Sequence, residues 1–110
     1  MSEYVESKVY LFPTIRGGRV GAVEPTTGTY LPHLRVNGGE HLGVRLVGGP
    51  DVVRPGEVAE LMWELLYERV DHTALQQGAD FEILEGPTSV GSGTIIRRWS
   101  SSSAFGVRPA

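Results

Sequence analysis

Glycine and proline punctuate this chain at short intervals, and that spacing limits what it can build. Arg16-Gly17-Gly18-Arg19, Asn37-Gly38-Gly39, Gly48-Gly49-Pro50-Asp51, Arg54-Pro55-Gly56-Glu57 and Glu85-Gly86-Pro87-Thr88-Ser89 all read as turns or corners. Glycine reaches positive φ without steric penalty, and proline pre-sets the first central φ of a turn. Fifteen glycines and seven prolines in 110 residues suit many short strands with tight turns better than a helical bundle.

The segments between the turns behave accordingly. Ser7 to Thr14 reads as a first strand, with Val9 and Leu11 apolar and Tyr4 and Val5 adding apolar surface before it. Thr29 to Val36 reads as a second, broken by Pro32, which cannot donate to a ladder and belongs at an edge or at a strand's first residues. Asn-Gly-Gly is then a hairpin signal. After it Leu42, Val44 and Leu46 alternate with His41, Gly43 and Arg45, the pattern of a half-buried strand. Phe81 to Trp99 reads as two strands joined at a polar corner. Glu57 to Val70 is ambiguous. Its Ala, Leu, Met and Glu content favours a helix, yet Ala59, Leu61, Trp63, Leu65 and Tyr67 alternate with Glu60, Met62, Glu64, Leu66 and Glu68 as in a strand.

Composition removes several functional classes. The formal net charge of −3 lacks the basic excess of a nucleic-acid-binding domain. No cysteine is present, so disulfides, thiolate nucleophiles and cysteine zinc sites are excluded together. The acidic N-terminal stretch does not read as a signal peptide, and no apolar run approaches the roughly 20 residues that span a bilayer. A cytoplasmic protein with no membrane partner is the expectation.

The turns and strands, taken in order, resemble a known family. Tyr4 to Phe12, Gly17-Gly18-Arg19, Tyr30-Leu31-Pro32, Pro55-Gly56-Glu57 and the Phe81-Glu82-Ile83-Leu84-Glu85-Gly86…Val90-Gly91-Ser92-Gly93 hairpin look like the C-terminal domain of translation elongation factor Tu. The likeness covers roughly residues 4 to 99. Each motif alone is weak, whereas their order and spacing are specific. The resemblance implies an all-β fold, a six-stranded antiparallel closed β-barrel over residues 1–99; the four serines at 100–103 open a stretch, 100–110, that reads by itself as a flexible tail. The resemblance also makes Val58 to Tyr67 a strand. Phe81 and Ile83 should pack inward, and Gly91 and Gly93 should let neighbouring backbone approach.

Chemistry is hard to find. No phosphate-binding loop occurs, and the only lysine, Lys8, lies in a strand, so neither nucleotide nor cofactor binding is expected. His33, His41 and His72 show no metal-ligand spacing and read as surface or rim residues. Asp71, His72 and Thr73 are neighbours in an extended chain, which does not make a triad. No catalytic or metal set emerges, and the expectation is a non-enzymatic binding module.

Two partners compete. In the family, the Gly-Gly-Arg loop is among the contacts to the T stem of tRNA, which makes Arg16, Gly17, Gly18 and Arg19, with Arg97 and Arg98, candidate RNA or partner contacts. Departures weaken the RNA case: Val20-Gly21 replaces a polar His-Thr, and Leu31 and Thr88 stand where the family has arginines. Phosphate contacts come chiefly from Arg and Lys. The alternative is a stand-alone protein-interaction module linked to translation factors, as a mimic, an antagonist or an immunity-type protein. Glu60, Glu64 and Glu68 then form a candidate partner-facing acidic stripe.

Overall fold

The computed structural model describes residues 2–101. Six strands form a closed antiparallel barrel: β1 (Ser2–Leu11), β2 (His33–Arg35), β3 (Leu42–Gly48), β4 (Val58–Leu65), β5 (Asp80–Glu85) and β6 (Thr88–Ser101). Their order around the barrel is β1-β4-β3-β2-β5-β6, with β6 returning to β1. Closure pairs every strand on both sides and leaves no long open edge. Two short 3-10 turns, Thr14–Arg16 and Pro25–Thr27, lie in the connection between β1 and β2.

The turn chemistry sets the hairpins. Asn37 and Gly38 both take positive φ (50° and 69°) and Gly39 N–H donates to Val36 O at 2.9 Å, as a type I′ hairpin turn requires. Gly56 (φ 90°) follows Pro55, and Glu57 N–H closes on Arg54 O at 3.0 Å, the type II arrangement. Gly86 (φ 60°) is the first central residue of the two-residue link between β5 and β6.

Inward positions alternate as a two-residue period demands. Val5, Ser7, Val9 and Leu11 on β1 face Leu61 and Trp63 on β4, Leu34 on β2, Val44 and Leu46 on β3, and Phe81 and Ile83 on β5; all are buried. Gly91 and Gly93 fall at inward positions of β6. A Cβ at Gly93 would lie 2.6 Å from the Phe81 ring and 2.7 Å from Lys8 O, so the bare backbone there seats the phenyl ring. Phe81 and Ile83 do pack inward, and the glycines do permit the close approach.

Four expectations need correction. The first strand, expected over Ser7 to Thr14, runs instead over Ser2–Leu11, and Thr14 opens a 3-10 turn. The ambiguous segment is a strand, but it ends at Leu65 rather than Tyr67. Leu66 N–H bonds Gly43 O, and Tyr67 then turns at φ 64°, 65% exposed, instead of continuing the inward row. Its ring lies over Gly43, where a Cβ would come within 2.6 Å of it. The second strand is only three residues long, because Pro32 has no N–H to give. The carbonyls of Tyr30 and Pro32 still accept from Leu46 and Val44 N–H. Finally, β6 runs through Ser100 and Ser101, which pair with Glu3 and Ser2, so the barrel extends two residues beyond the expected boundary. The rest of the expected tail, 102–110, lies outside the described residues.

Candidate functional site

The Gly-Gly-Arg loop leaves β1 at Phe12 and folds on itself at once. Arg16 and Gly18 N–H both donate to Pro13 O (2.9 and 3.0 Å), and Gly17 N–H donates to Thr14 O at 3.2 Å. Gly17 sits at φ 87° in the left-handed region. Gly18 is constrained by space: a Cβ there would stand 1.9 Å from Phe12 O, which no side chain survives without moving the backbone. Both glycines are therefore required by the loop's own path.

Arg19 turns inward. Its Nε donates to Glu85 Oε2 at 2.8 Å, and its Nη1 donates to the carbonyls of Gly21 (2.5 Å) and Ala22 (2.7 Å). The guanidinium lies 5.1 Å from the centre of the Tyr30 ring, within cation–π range. Tyr30 O–H donates to the same Glu85 Oε2 at 2.5 Å. Burial, followed by the hydrogen bond and negative charge of Glu85, pushes the Tyr30 phenol far above its ordinary range. Thr14 Oγ1 donates to Arg19 O at 2.8 Å and closes the loop from the other side. Nε and Nη1 of this arginine are thus both bonded within the protein.

The loop also shows apolar side chains to solvent. Ile15 is 93% exposed and Val20 88%. With Pro13, Thr14, Ala22, Arg54 and Pro55 they line an open groove of about 530 Å³ between the loop and the Arg54–Glu57 turn. Gly56 N–H donates to Leu11 O and Leu11 N–H to Glu57 O, which fixes the two walls relative to each other. Arg54 is exposed in its lining, and Arg16 is exposed at the end of the adjoining Thr14–Arg16 turn.

The other candidate arginines do not join them. Arg98 lies opposite Val5 on β1, seven residues from Phe12 where the loop begins, roughly 20 Å along the strand. It donates to His72 O (2.7 Å), Leu75 O (3.3 Å) and Glu3 Oε2 (2.6 Å) and closes that end of the barrel. Arg97 stands 3.3 Å from the buried Glu6 carboxylate as an ion pair without hydrogen-bond alignment. Arg16, Arg19, Arg97 and Arg98 thus share no face.

The acidic stripe is also broken. Glu60 and Glu64 occupy the outer face of β4, opposite Lys8 on β1 and Arg45 on β3 respectively, with Arg45 3.8 Å from Glu64. Glu68 lies past the turn at Tyr67. It lines a separate cavity of about 460 Å³ with Glu3, Asp71, His72 and Arg98. There Arg98 pairs with Glu3, and Asp71 accepts from Thr73.

Of the three histidines, only His72 departs from the expected surface or rim position. His33 and His41 meet across the β2–β3 hairpin, with ring centroids 5.9 Å apart. His72 is buried rather than on the rim, and its Nε2 has no hydrogen-bond partner among the described residues. Burial first, and then the Arg98 charge, lower its pKa. Among the described residues no group of three or more His, Cys, Asp or Glu is placed to hold a metal ion. Nor is any helix among them long and apolar enough to cross a membrane. No known protein-family model matches the chain.

Sequence reasoning missed Ile15, Val20 and Arg54. A signal was present: two branched apolar residues bracket a Gly-Gly turn too tight to bury either. Glu85 and Tyr30 as holders of Arg19 left no such local signal.

Proposed function

We propose that this chain is a non-enzymatic protein-binding module whose partner-facing surface is the loop from Phe12 to Ala22. The observation that carries the reading is the exchange of roles within that loop. Arg19, the cation that an RNA contact needs, is held by Glu85, Tyr30 and two carbonyls. Ile15 and Val20, which have no use for phosphate, stand in water. Hydrophobic side chains at an interface centre contribute through desolvation and packing, and a loop already fixed in place loses little entropy on binding.

The resemblance to the C-terminal domain of elongation factor Tu supports a partner connected with translation factors, with the chain acting as a mimic, an antagonist or an immunity-type protein. Weak tRNA binding through Arg16 and Arg19 is the competing function, disfavoured by the orientation of Arg19. Photocrosslinking from position 15 in cells that express the chain distinguishes the two. The expected adduct is destroyed by protease, resists RNase, and is lost when Val20→Asp is introduced alongside. An RNase-sensitive adduct would replace this function with RNA binding.

A further inference from the structure

We infer that the groove between the Phe12–Ala22 loop and the Arg54–Glu57 turn takes an acidic segment of a partner protein, one that carries an aliphatic or aromatic anchor between carboxylates. The inference rests on the protein-binding reading above and adds the place and chemistry of the contact.

The floor and walls are aliphatic: Pro13, Ile15, Val20, Ala22 and Pro55. The charges beside them are positive. Among the described residues Arg19, Arg35, Arg45, Arg97 and Arg98 each pair with a carboxylate, whereas Arg16 and Arg54 do not. Arg69 is also without one, but it follows β4 and does not line this groove. Two acids lie three residues from Arg54: Asp51, which makes no ion pair with it, and Glu57, whose Oε1 accepts from the backbone N–H of Arg54 at 2.6 Å. A protein of net charge −3 therefore offers one uncommitted guanidinium, Arg54, in the lining of the apolar groove and a second, Arg16, on the adjoining turn next to Ile15. Opposite charge on a partner is the complement of that pattern.

The same features argue against a nucleic acid. Single-strand platforms stack bases on aromatic rings, and this groove has none. Backbone binding strengthens with the number of phosphates neutralised, and two cations are few. Charge-assisted bonds from Arg to carboxylate are strong and directional, and two of them around a buried aliphatic anchor suit a short peptide segment.

The test is a nuclear magnetic resonance titration of the full chain, labelled with nitrogen-15, with a synthetic peptide of alternating glutamate and leucine. Amide shifts should concentrate at residues 13–22 and 54–57. Affinity should fall at least about tenfold in Arg16→Glu/Arg54→Glu and in Ile15→Ser/Val20→Ser. All four positions are exposed, and unchanged core resonances will show that each variant is folded. A peptide of alternating lysine and leucine should bind much more weakly, as should one of alternating glutamate and serine. Shifts elsewhere or nowhere, equal response to the lysine peptide, equal response to the serine peptide, or preference for bulk tRNA would each overturn the inference. If it falls while position 15 still yields an RNase-resistant protein adduct, the protein-binding function stands and only the groove chemistry is lost. An RNase-sensitive adduct removes both.

Discussion

Ser7 and Trp63 form a buried polar contact in an otherwise apolar barrel, and breaking it from each side separates packing from hydrogen bonding. Both residues are fully buried. Trp63 Nε1–H donates to Ser7 Oγ at 2.9 Å, and Ser7 O–H donates to Leu61 O at 3.1 Å. Val5 is opposite Trp63 and Ser7 opposite Leu61 in the β1–β4 register, so the two polar side chains are diagonal neighbours on the inner face. Ser7→Ala keeps the shape but strands the indole N–H in the core, at a cost of about 1–3 kcal/mol. Trp63→Phe removes the donor and some volume, losing a hydrogen bond of about 0.5–1.5 kcal/mol together with a packing cost. In the double variant there is no stranded donor. Its destabilisation should therefore fall short of the sum of the singles by about 1–2 kcal/mol. Urea unfolding followed by far-UV circular dichroism measures this, since fluorescence would rest on Trp99 alone once Trp63 is gone. Each kcal/mol should appear as roughly 4–8 °C in Tm. Singles that add to the double within about 0.3–0.5 kcal/mol would mean that the hydrogen bond contributes no coupling, and the reasoning would fail. Trp63→Ala, by contrast, should cost about 3–5 kcal/mol through the cavity alone, a large part of a small domain's stability.

Gly18→Ala should disrupt the Phe12–Ala22 loop, because its Cβ would stand 1.9 Å from Phe12 O; the check is hydrogen exchange, with faster exchange at residues 16–19 and little change in β3 and β4. Arg19→Lys keeps the charge but lacks the fork that serves Glu85 and two carbonyls, so it should lower Tm; unchanged Tm would contradict the clamp. Burial and Arg98 hold the His72 pKa below its ordinary 6.5, so the folded state binds fewer protons than the unfolded. Stability from this group is full above about 6.5 and falls as pH drops through the folded value, and His72→Asn should flatten that part of a urea-midpoint against pH curve. Calorimetry with GTP or ATP should show no saturable heat at micromolar concentrations, since no phosphate-binding loop is present.

The local rules were legible where local chemistry decides. Asn37-Gly38 and Pro55-Gly56 adopt the turns their residue types demand, and the alternation in Leu42–Leu46 and Phe81–Ile83 reads directly as an inner face. Glu57 to Val70 was not legible from periodicity. Helix-favouring Leu, Met and Glu sit in β4 because pairing with both β1 and β3 outweighs their intrinsic preference. Tyr67 leaves the alternation at a positive φ, and its contact is remote in sequence: the ring lies over Gly43, on another strand. The candidate site was harder still. Arg19 is aimed by Glu85, 66 residues away, and nothing next to Arg19 in the sequence reveals which way it turns. His33 and His41 meet only because a hairpin folds them together.

The loop also shows why the Gly-Gly-Arg sequence is a poor guide to a contact. Gly17 is there for a left-handed φ, Gly18 for the space against Phe12 O, and Arg19 for the bonds that tie the loop to β5 through Glu85. Each residue of Gly17-Gly18-Arg19 therefore has a part in shaping the loop. Under the proposed function, contacts are left to the positions that the corner leaves free. In this chain those are Ile15, Arg16 and Val20, whose side chains stand in solvent on a backbone held by the motif. Substitutions there should change what is bound without changing the fold, whereas substitutions in the motif should change the fold first and binding only as a consequence.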